Sequence, residues 1–272
     1  MIPVVLTAAA ASPSVTTTTG LRRRLNRLAD PRRVPILQRF FRTGPGECAE
    51  GDRFIGVSLP AMRALCRECR GVTITAIEPL LRSPVHEERA LALLLLVDAF
   101  KRADEAGRQR IYAFYLANTT FINNWDLVDS SAAQIAGGWL HGRSRAPLDK
   151  LAASASLWER RIAIIATLHF IRLGEFDDTF RIADRLLADP HDLIHKAVGW
   201  MLREVGNRDA AAERQYLAGR YKRMPRTMLR YAIEKFPEAE RQDYLKGRVK
   251  SGRSAGRSMK SSVPVKSRGS KR

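Results

Sequence analysis

Two tryptophans, a carboxylate and several cations stand at matching places along this chain, and together they could share one groove that takes an acidic partner and stabilises a positively charged group. The matched segments begin at Arg89 (RALALLLL), Trp125 (WDLVDSSA), Arg161 (RIAIIATL), Lys196 (KAVGWMLR) and Arg230 (RYAIEKF), at steps of 36, 36, 35 and 34 residues. One helical turn beyond Trp125 and Lys196 lie Asp129 and Trp200, which join the same stripe. The faces of Trp125 and Trp200 can stack on bases or sugars and stabilise a cation through the ring quadrupole. Asp126 falls one residue off the register, so Asp129 is the candidate carboxylate. The bland alternative for this acidic pair is a helix cap or an ion pair with a neighbouring arginine.

A repeat close to 35 residues that carries helical periodicity is the mark of a solenoid, because each unit buries an apolar face only against the next. Residues at one register then line one surface, usually the concave one. The sequence predicts an all-α, HEAT-like helical-repeat fold with about a dozen helices and a concave basic groove. ALALLLLVDAF is apolar nearly all round, as a helix between two neighbours must be. Ser83-Pro84, Asp189-Pro190 and Met224-Pro225 fall shortly before register points, where turns between helices belong. Trp139 and Trp158 are off the stripe and are expected to be packing residues.

Charge points to an acidic partner. The 272 residues carry a formal charge of +19, with a pI near 10.7, an excess that favours polyanions and says nothing about fold. Residues 246–272 hold ten Lys and Arg and no acidic residue, and they read as a basic tail without a core. Residues 1–20 are uncharged and of low complexity, so disorder is expected there, followed by the repeat domain over 21–246 and the disordered tail over 247–272. The apolar run from Ile2 to Ala11 has no basic segment before it and does not read as a signal peptide. No stretch reaches the ~20 apolar residues needed to cross a bilayer. Cys48, Cys66 and Cys69 are too few for a disulfide framework and suit a reducing compartment. The lone CxxC and the His191/His195 pair lack further ligands, so no metal and no cofactor is expected. Nucleotide-hydrolysis, acyl-transfer and dinucleotide motifs are absent from the sequence.

The stretches FIGVSLP (54–60), NNWDLVD (123–129), LWERRIAI (157–164), HKAVGWMLREVG (195–206) and PRTMLRYAIEKF (225–236) agree in order and spacing with one family. Over residues 21–246 the chain resembles the AlkD-like bacterial DNA glycosylases built from HEAT-like repeats. That resemblance implies a monofunctional enzyme hydrolysing the N-glycosidic bond of alkylated purines such as 3-methyladenine and 7-methylguanine, without flipping the base into a pocket. It implies that Asp129 is the key carboxylate, Trp125 and Trp200 the groove tryptophans, and Arg161, rather than Arg160, the arginine of the site. Arg63, Lys196, Arg203 and Arg230 are the expected contacts to DNA. Ser58 stands where the best-known member has a glutamine, a departure that bears on lesion preference. An alkylated purine already carries the charge that makes it leave, so a carboxylate near the sugar is the main catalytic requirement. The resemblance further implies a cytoplasmic protein acting on double-stranded DNA, expected as a monomer. The competing readings are a non-catalytic nucleic-acid-binding solenoid and a protein-interaction scaffold, which fold alone does not separate from the enzyme.

Overall fold

The computed structural model describes residues 16–47 and 49–249. The N-terminal half comprises α1 (Thr18–Arg27), α2 (Val34–Phe41), α3 (Leu59–Glu68), α4 (Ile74–Leu81), α5 (His86–Arg102), α6 (Glu105–Ala117) and α7 (Trp125–Asp129). After a π-helical turn at Ala133–Gly137 come α8 (Gly138–Leu140), α9 (Ala146–Ala152), α10 (Leu157–Ala166), α11 (Leu168–Ile171) and α12 (Asp177–Arg185). The chain continues through α13 (Asp192–Gly206), α14 (Ala210–Ala218), α15 (Arg226–Ala232) and α16 (Glu238–Leu245). Among the described residues there is no strand, only an isolated bridge between Arg53 and Val85.

The helices form two rows. α5, α7, α10, α13 and α15 pack one on the next, and α4, α6, α9, α12 and α14 lie behind them. Every register point of the sequence falls on the first row, which is the helical repeat the spacing predicts. Leu91, Leu96, Ile135, Ile164, Ile165, Val198, Leu202 and Met228 fill the seam between rows as one continuous core. α5 is buried nearly all round, from His86 through Val97.

Local sequence explains the element starts. Ser58 caps α3, its hydroxyl accepting from the Ala61 amide at 3.3 Å, with Pro60 in the first turn where a missing N–H costs nothing. Asp104 and Asp209 cap α6 and α14 in the same way. At Gly199 a Cβ would lie 2.4 Å from the Met228 carbonyl oxygen and 2.5 Å from the Tyr231 Cβ, so only glycine lets α13 and α15 approach there. That close approach brings Trp200 and Tyr231 to one opening.

Helix α1 begins at Thr18, capped by Thr17, whose hydroxyl accepts from the Gly20 amide at 3.1 Å. The helix thus starts shortly before the boundary expected at residue 20, because threonine is a good cap and the apolar residues that follow give it a face to bury, with Leu21 and Leu25 inaccessible. The rest of the low-complexity stretch, residues 250–272 of the basic tail, and Cys48 lie outside the described residues. Cys66 and Cys69 are buried free thiols, and burial pushes the Cys66 thiol up to about 11. Among the described residues no cluster of three metal-ligating side chains occurs and no helix is long and apolar enough to cross a membrane.

Candidate active site

α7 is five residues long, and its shortness places two chemical groups one turn apart, Trp125 at its start and Asp129 at its end. The fully buried Asn124 caps it through its side-chain oxygen, 2.8 Å from the Trp125 amide. Beyond Asp129 the backbone widens into the π-helical turn, an irregularity that recurs at functional sites.

Asp129 faces Arg161 of α10 in a two-pronged ion pair, Nε to Oδ1 at 2.9 Å and Nη2 to Oδ2 at 2.8 Å. Arg161 is only 5% exposed and spends its remaining nitrogen on the Leu193 carbonyl at 2.5 Å. The guanidinium is therefore fixed on three sides. Burial pushes the Asp129 carboxyl above its ordinary range, and Arg161 opposes that push. Each Asp129 oxygen takes one hydrogen bond from the arginine and retains a second acceptor position. Arg160 points elsewhere, to Asp189 at 2.6 Å.

These groups sit in a cavity of about 580 Å³ lined by Phe40, Phe41, Arg42, Gly46, Glu47, Trp125, Asp129, Arg161, His191, Asp192, Leu193, Lys196, Trp200, Arg203 and Tyr231. Trp125, Asp129, Arg161, Lys196, Trp200 and Arg203, all singled out by sequence, are thus brought together. Trp200 is held by its indole N–H, which donates to Glu204 at 2.9 Å. Lys196 pairs with Asp192 at 2.8 Å and Arg203 with Glu234, so phosphates would have to compete with carboxylates for both cations. The lining carries Arg42, Arg161, Lys196 and Arg203 against Glu47, Asp129 and Asp192. It is nearly balanced in charge, so the expected basicity of the groove is not a property of the cavity wall.

Two expected DNA contacts are placed outside the cavity. Arg63 is exposed on α3, and Arg230 is exposed on α15, where Tyr231 lines the opening instead. Arg89, at the first register point, is also absent from the cavity. It is buried in α5 and pairs with Asp52 at 2.6 Å.

Arg89 belongs to a second layer that the register does not reveal. Asp52 accepts from Arg89 and lies 3.0 Å from Nδ1 of His86, while Nε2 of His86 is 2.8 Å from Asp126. Burial opposes charging of this imidazole, but Asp126 and Asp52 overcome it and carry His86 up to about 9, so it bridges the two carboxylates as an imidazolium. Phe41 and Phe54 lie against the imidazole with centroids 4.7 and 4.8 Å away, and Phe41 also stacks on Trp125 at 5.3 Å. The network is held by the loop before α3, whose backbone amides at Ile55, Gly56 and Val57 all donate to Glu87. Gly56 has φ +86° and packs on the Asp30 carbonyl, a conformation and a space closed to other residues. This arrangement fixes the first turn of α7 and with it the Trp125 ring. His191 caps α13, accepting from the Leu193 amide, and burial pushes it down toward the neutral form.

Trp139 and Trp158 pack against the core as expected, the first stacked on Tyr112 at 5.7 Å. The cavity residues that the stripe does not include are Phe40, Phe41, Arg42, Gly46 and Glu47, which precede the repeats, together with His191, Asp192, Leu193, Arg203 and Tyr231. Adjacent phenylalanines ahead of a Gly-Pro loop were the available signal for the first group.

The comparisons with known proteins agree with this architecture. A family model described as DNA alkylation repair enzyme matches residues 21–236. No curated protein sequence matches the chain. A solved structure described as a predicted DNA alkylation repair enzyme from Enterococcus faecalis superposes with a TM-score of 0.60 at 16% identity, over 77% of this chain and 97% of that one. At that identity the likeness speaks to the fold. The family match spans most of the chain and every segment that builds the cavity, and the chain belongs to the DNA alkylation repair enzyme family.

Proposed function

We propose that the protein is a DNA glycosylase that hydrolyses the N-glycosidic bond of cationic alkylated purines, 3-methyladenine and 7-methylguanine, in duplex DNA. The observation that carries this reading is the Asp129 carboxylate, held on two points by buried Arg161 in a cavity that also presents Trp125 and Trp200. Alkylation at N3 or N7 makes the base a cation. When the C1′–N bond breaks, its electron pair goes to the base, which departs neutral, and positive charge develops on the sugar. A carboxylate at C1′ stabilises that charge, and the tryptophan faces favour a cation beside them. The free acceptor position on Asp129 can take a hydrogen bond from water and aim its oxygen at C1′. Its raised affinity for a proton suits it to receive one as the C–O bond forms. Arg161 acts by holding the carboxylate ionised and immobile.

No strong acid is needed for a leaving group that is already charged. Lys196 and Arg203 are the phosphate contacts of this reading, with Arg63 and Arg230 engaging the duplex beyond the cavity. The test is incubation of the protein with methylated duplex DNA and chromatography of the released bases, alongside Asp129→Asn. The carboxamide keeps the shape and removes the charge. Release of methylpurines by the wild type and its near-complete loss in the variant are expected; undiminished single-turnover release by Asp129→Asn would remove that residue from the mechanism.

A further inference from the structure

The two most exposed large apolar side chains among the described residues are Ile36, at 67%, and Phe40, at 62%, and both belong to α2. They are four residues apart and share one face of that helix. The neighbouring face is accounted for: Val34, Leu37 and Phe41 pack into a small cluster with Ala49, Phe54 and Trp125. Nothing among the described residues covers the outer ridge, and it borders the cavity, because Phe40 lines it and meets Trp125 edge-on at 5.5 Å.

The surroundings of this ridge indicate what covers it. From Pro31 to Gly46 there is no acidic residue, whereas Arg32, Arg33, Arg39 and Arg42 all occur. Arg32 is paired with Asp30 and Arg42 with Glu47, but Arg33 and Arg39 have no ion pair among the described residues. An apolar ridge flanked by guanidinium groups that form no close ion pair suits a partner that offers phosphates at its edge and flat apolar faces within. That combination describes a base stack and does not describe an ordinary protein surface, where a ridge this apolar would meet few anions.

We propose that α2 is a wedge for duplex DNA, in which Phe40 and Ile36 press into the base stack beside the target nucleotide while Arg33 and Arg39 hold the flanking phosphates. The inference rests on DNA being the substrate of the adjoining cavity. Side chains of this kind partially unstack base steps and bend the duplex, in return for a larger contact. Here the bend would turn the deoxyribose toward Asp129 and Trp125. The cavity thereby gains access to C1′ with no need to swallow the base.

The test uses the full chain and a duplex with 2-aminopurine beside a 2′-fluoro-7-methylguanine nucleotide, in which the fluorine slows bond cleavage and leaves binding to be read alone. Wild-type protein is expected to raise the fluorescence as the neighbouring base loses its stack. Phe40→Ala and Ile36→Ser are each expected to abolish most of that rise, and Phe40→Ala to weaken binding about tenfold, within the range that loss of one aromatic–base stack produces. Leu173→Ser, at an exposed apolar residue outside the cavity, should change neither. Ile36→Ser is the decisive variant, because Ile36 does not line the cavity and is not among the residues packed on Trp125. Thermal melting confirms that each variant is folded. A full fluorescence rise and unchanged affinity in both variants would overturn the wedge, as would a ridge that proves to mediate self-association or vesicle binding with no effect on the duplex. Base release from ordinary methylated DNA separates the two ideas. Excision without any wedge effect refutes only the wedge, whereas α2-dependent unstacking without excision refutes only the glycosylase reading.

Discussion

Arg161→Ala separates the role of holding a carboxylate from the role of holding DNA. The side chain makes two charge-assisted hydrogen bonds to Asp129 and one to the Leu193 carbonyl, and it is almost fully buried. Removing it leaves a largely but not fully buried carboxylate with no counter-charge, a change that costs about 3 kcal/mol of stability. For a chain of this size that corresponds to a fall of roughly 10 °C in Tm. Each hydrogen bond to a charged group contributes about 1.5–3 kcal/mol, so losing both from the catalytic arrangement should slow excision at neutral pH by about 100-fold or more. The pH profile supplies the sharper criterion. Burial already raises the Asp129 carboxyl and Arg161 opposes it, so the variant should show its acid-side loss of activity at a higher pH than the wild type. Arg161→Lys, which cannot engage both oxygens in a fork, should fall between them. Single-turnover excision at saturating protein, measured across pH, is the assay. An Arg161→Ala enzyme that is slowed equally at every pH, or weakened only in DNA binding, would refute the assignment of Arg161 as the partner of an ionised Asp129.

Lesion charge should dominate the rate: 7-methylguanine should leave far faster than the neutral base hypoxanthine, because no acid in the cavity is evident to protonate it, and equal rates in one duplex context would refute that mechanism. His86 should make stability depend on pH. Its affinity for protons rises from 6.5 to about 9 on folding, so its contribution is complete below 6.5 and lost as pH climbs through 9, about 3 kcal/mol in all. Urea unfolding between pH 6 and 10 should show this decline in the wild type and a flatter one in His86→Gln. Glu213 has the opposite polarity of charge and the same direction of slope. Burial carries its carboxyl from 4.5 to about 8, so its favourable contribution is present below 4.5 and fades by about 3 kcal/mol as pH rises to 7. Glu213→Gln should remove that part of the slope, seen as a smaller difference between melts at pH 5 and pH 7.

The near-35-residue register was sufficient to identify the inner row of helices and to bring Trp125, Asp129, Arg161, Lys196 and Trp200 to one cavity, because stacked helices carry a common face from repeat to repeat. It drifted at the last step. The spacing shortens from 36 to 34 residues, and one position on a helix is a rotation of about 100°, enough to exchange Arg230 for Tyr231 at the opening. Asp126 carried a different lesson. Its partner His86 lies 40 residues away and Asp52 is 34 residues before that, so no local spacing connects the three. Phe40, Phe41 and Glu47 come from a segment that precedes the repeats and has no register to share. Their place at the cavity is decided by how the loop from Arg42 to Ser58 folds back on α5, through Glu87 and the Arg53–Val85 bridge.

The small apolar cluster of Phe41, Ala49 and Phe54 is separate from the main core, and this gives the molecule two levels of cooperativity. α2 is anchored through that cluster and through the Phe41 ring against Trp125 and His86, whereas α10 and α13 are buried in the continuous seam between the rows. Breaking the first anchorage exposes little apolar surface and leaves the second intact. Amide protons of α2 should therefore exchange with solvent through a local opening far below the free energy of global unfolding, while those of α10 wait for the whole chain. The wall of the cavity that α2 forms is thus expected to open at a lower free energy than the repeats behind it.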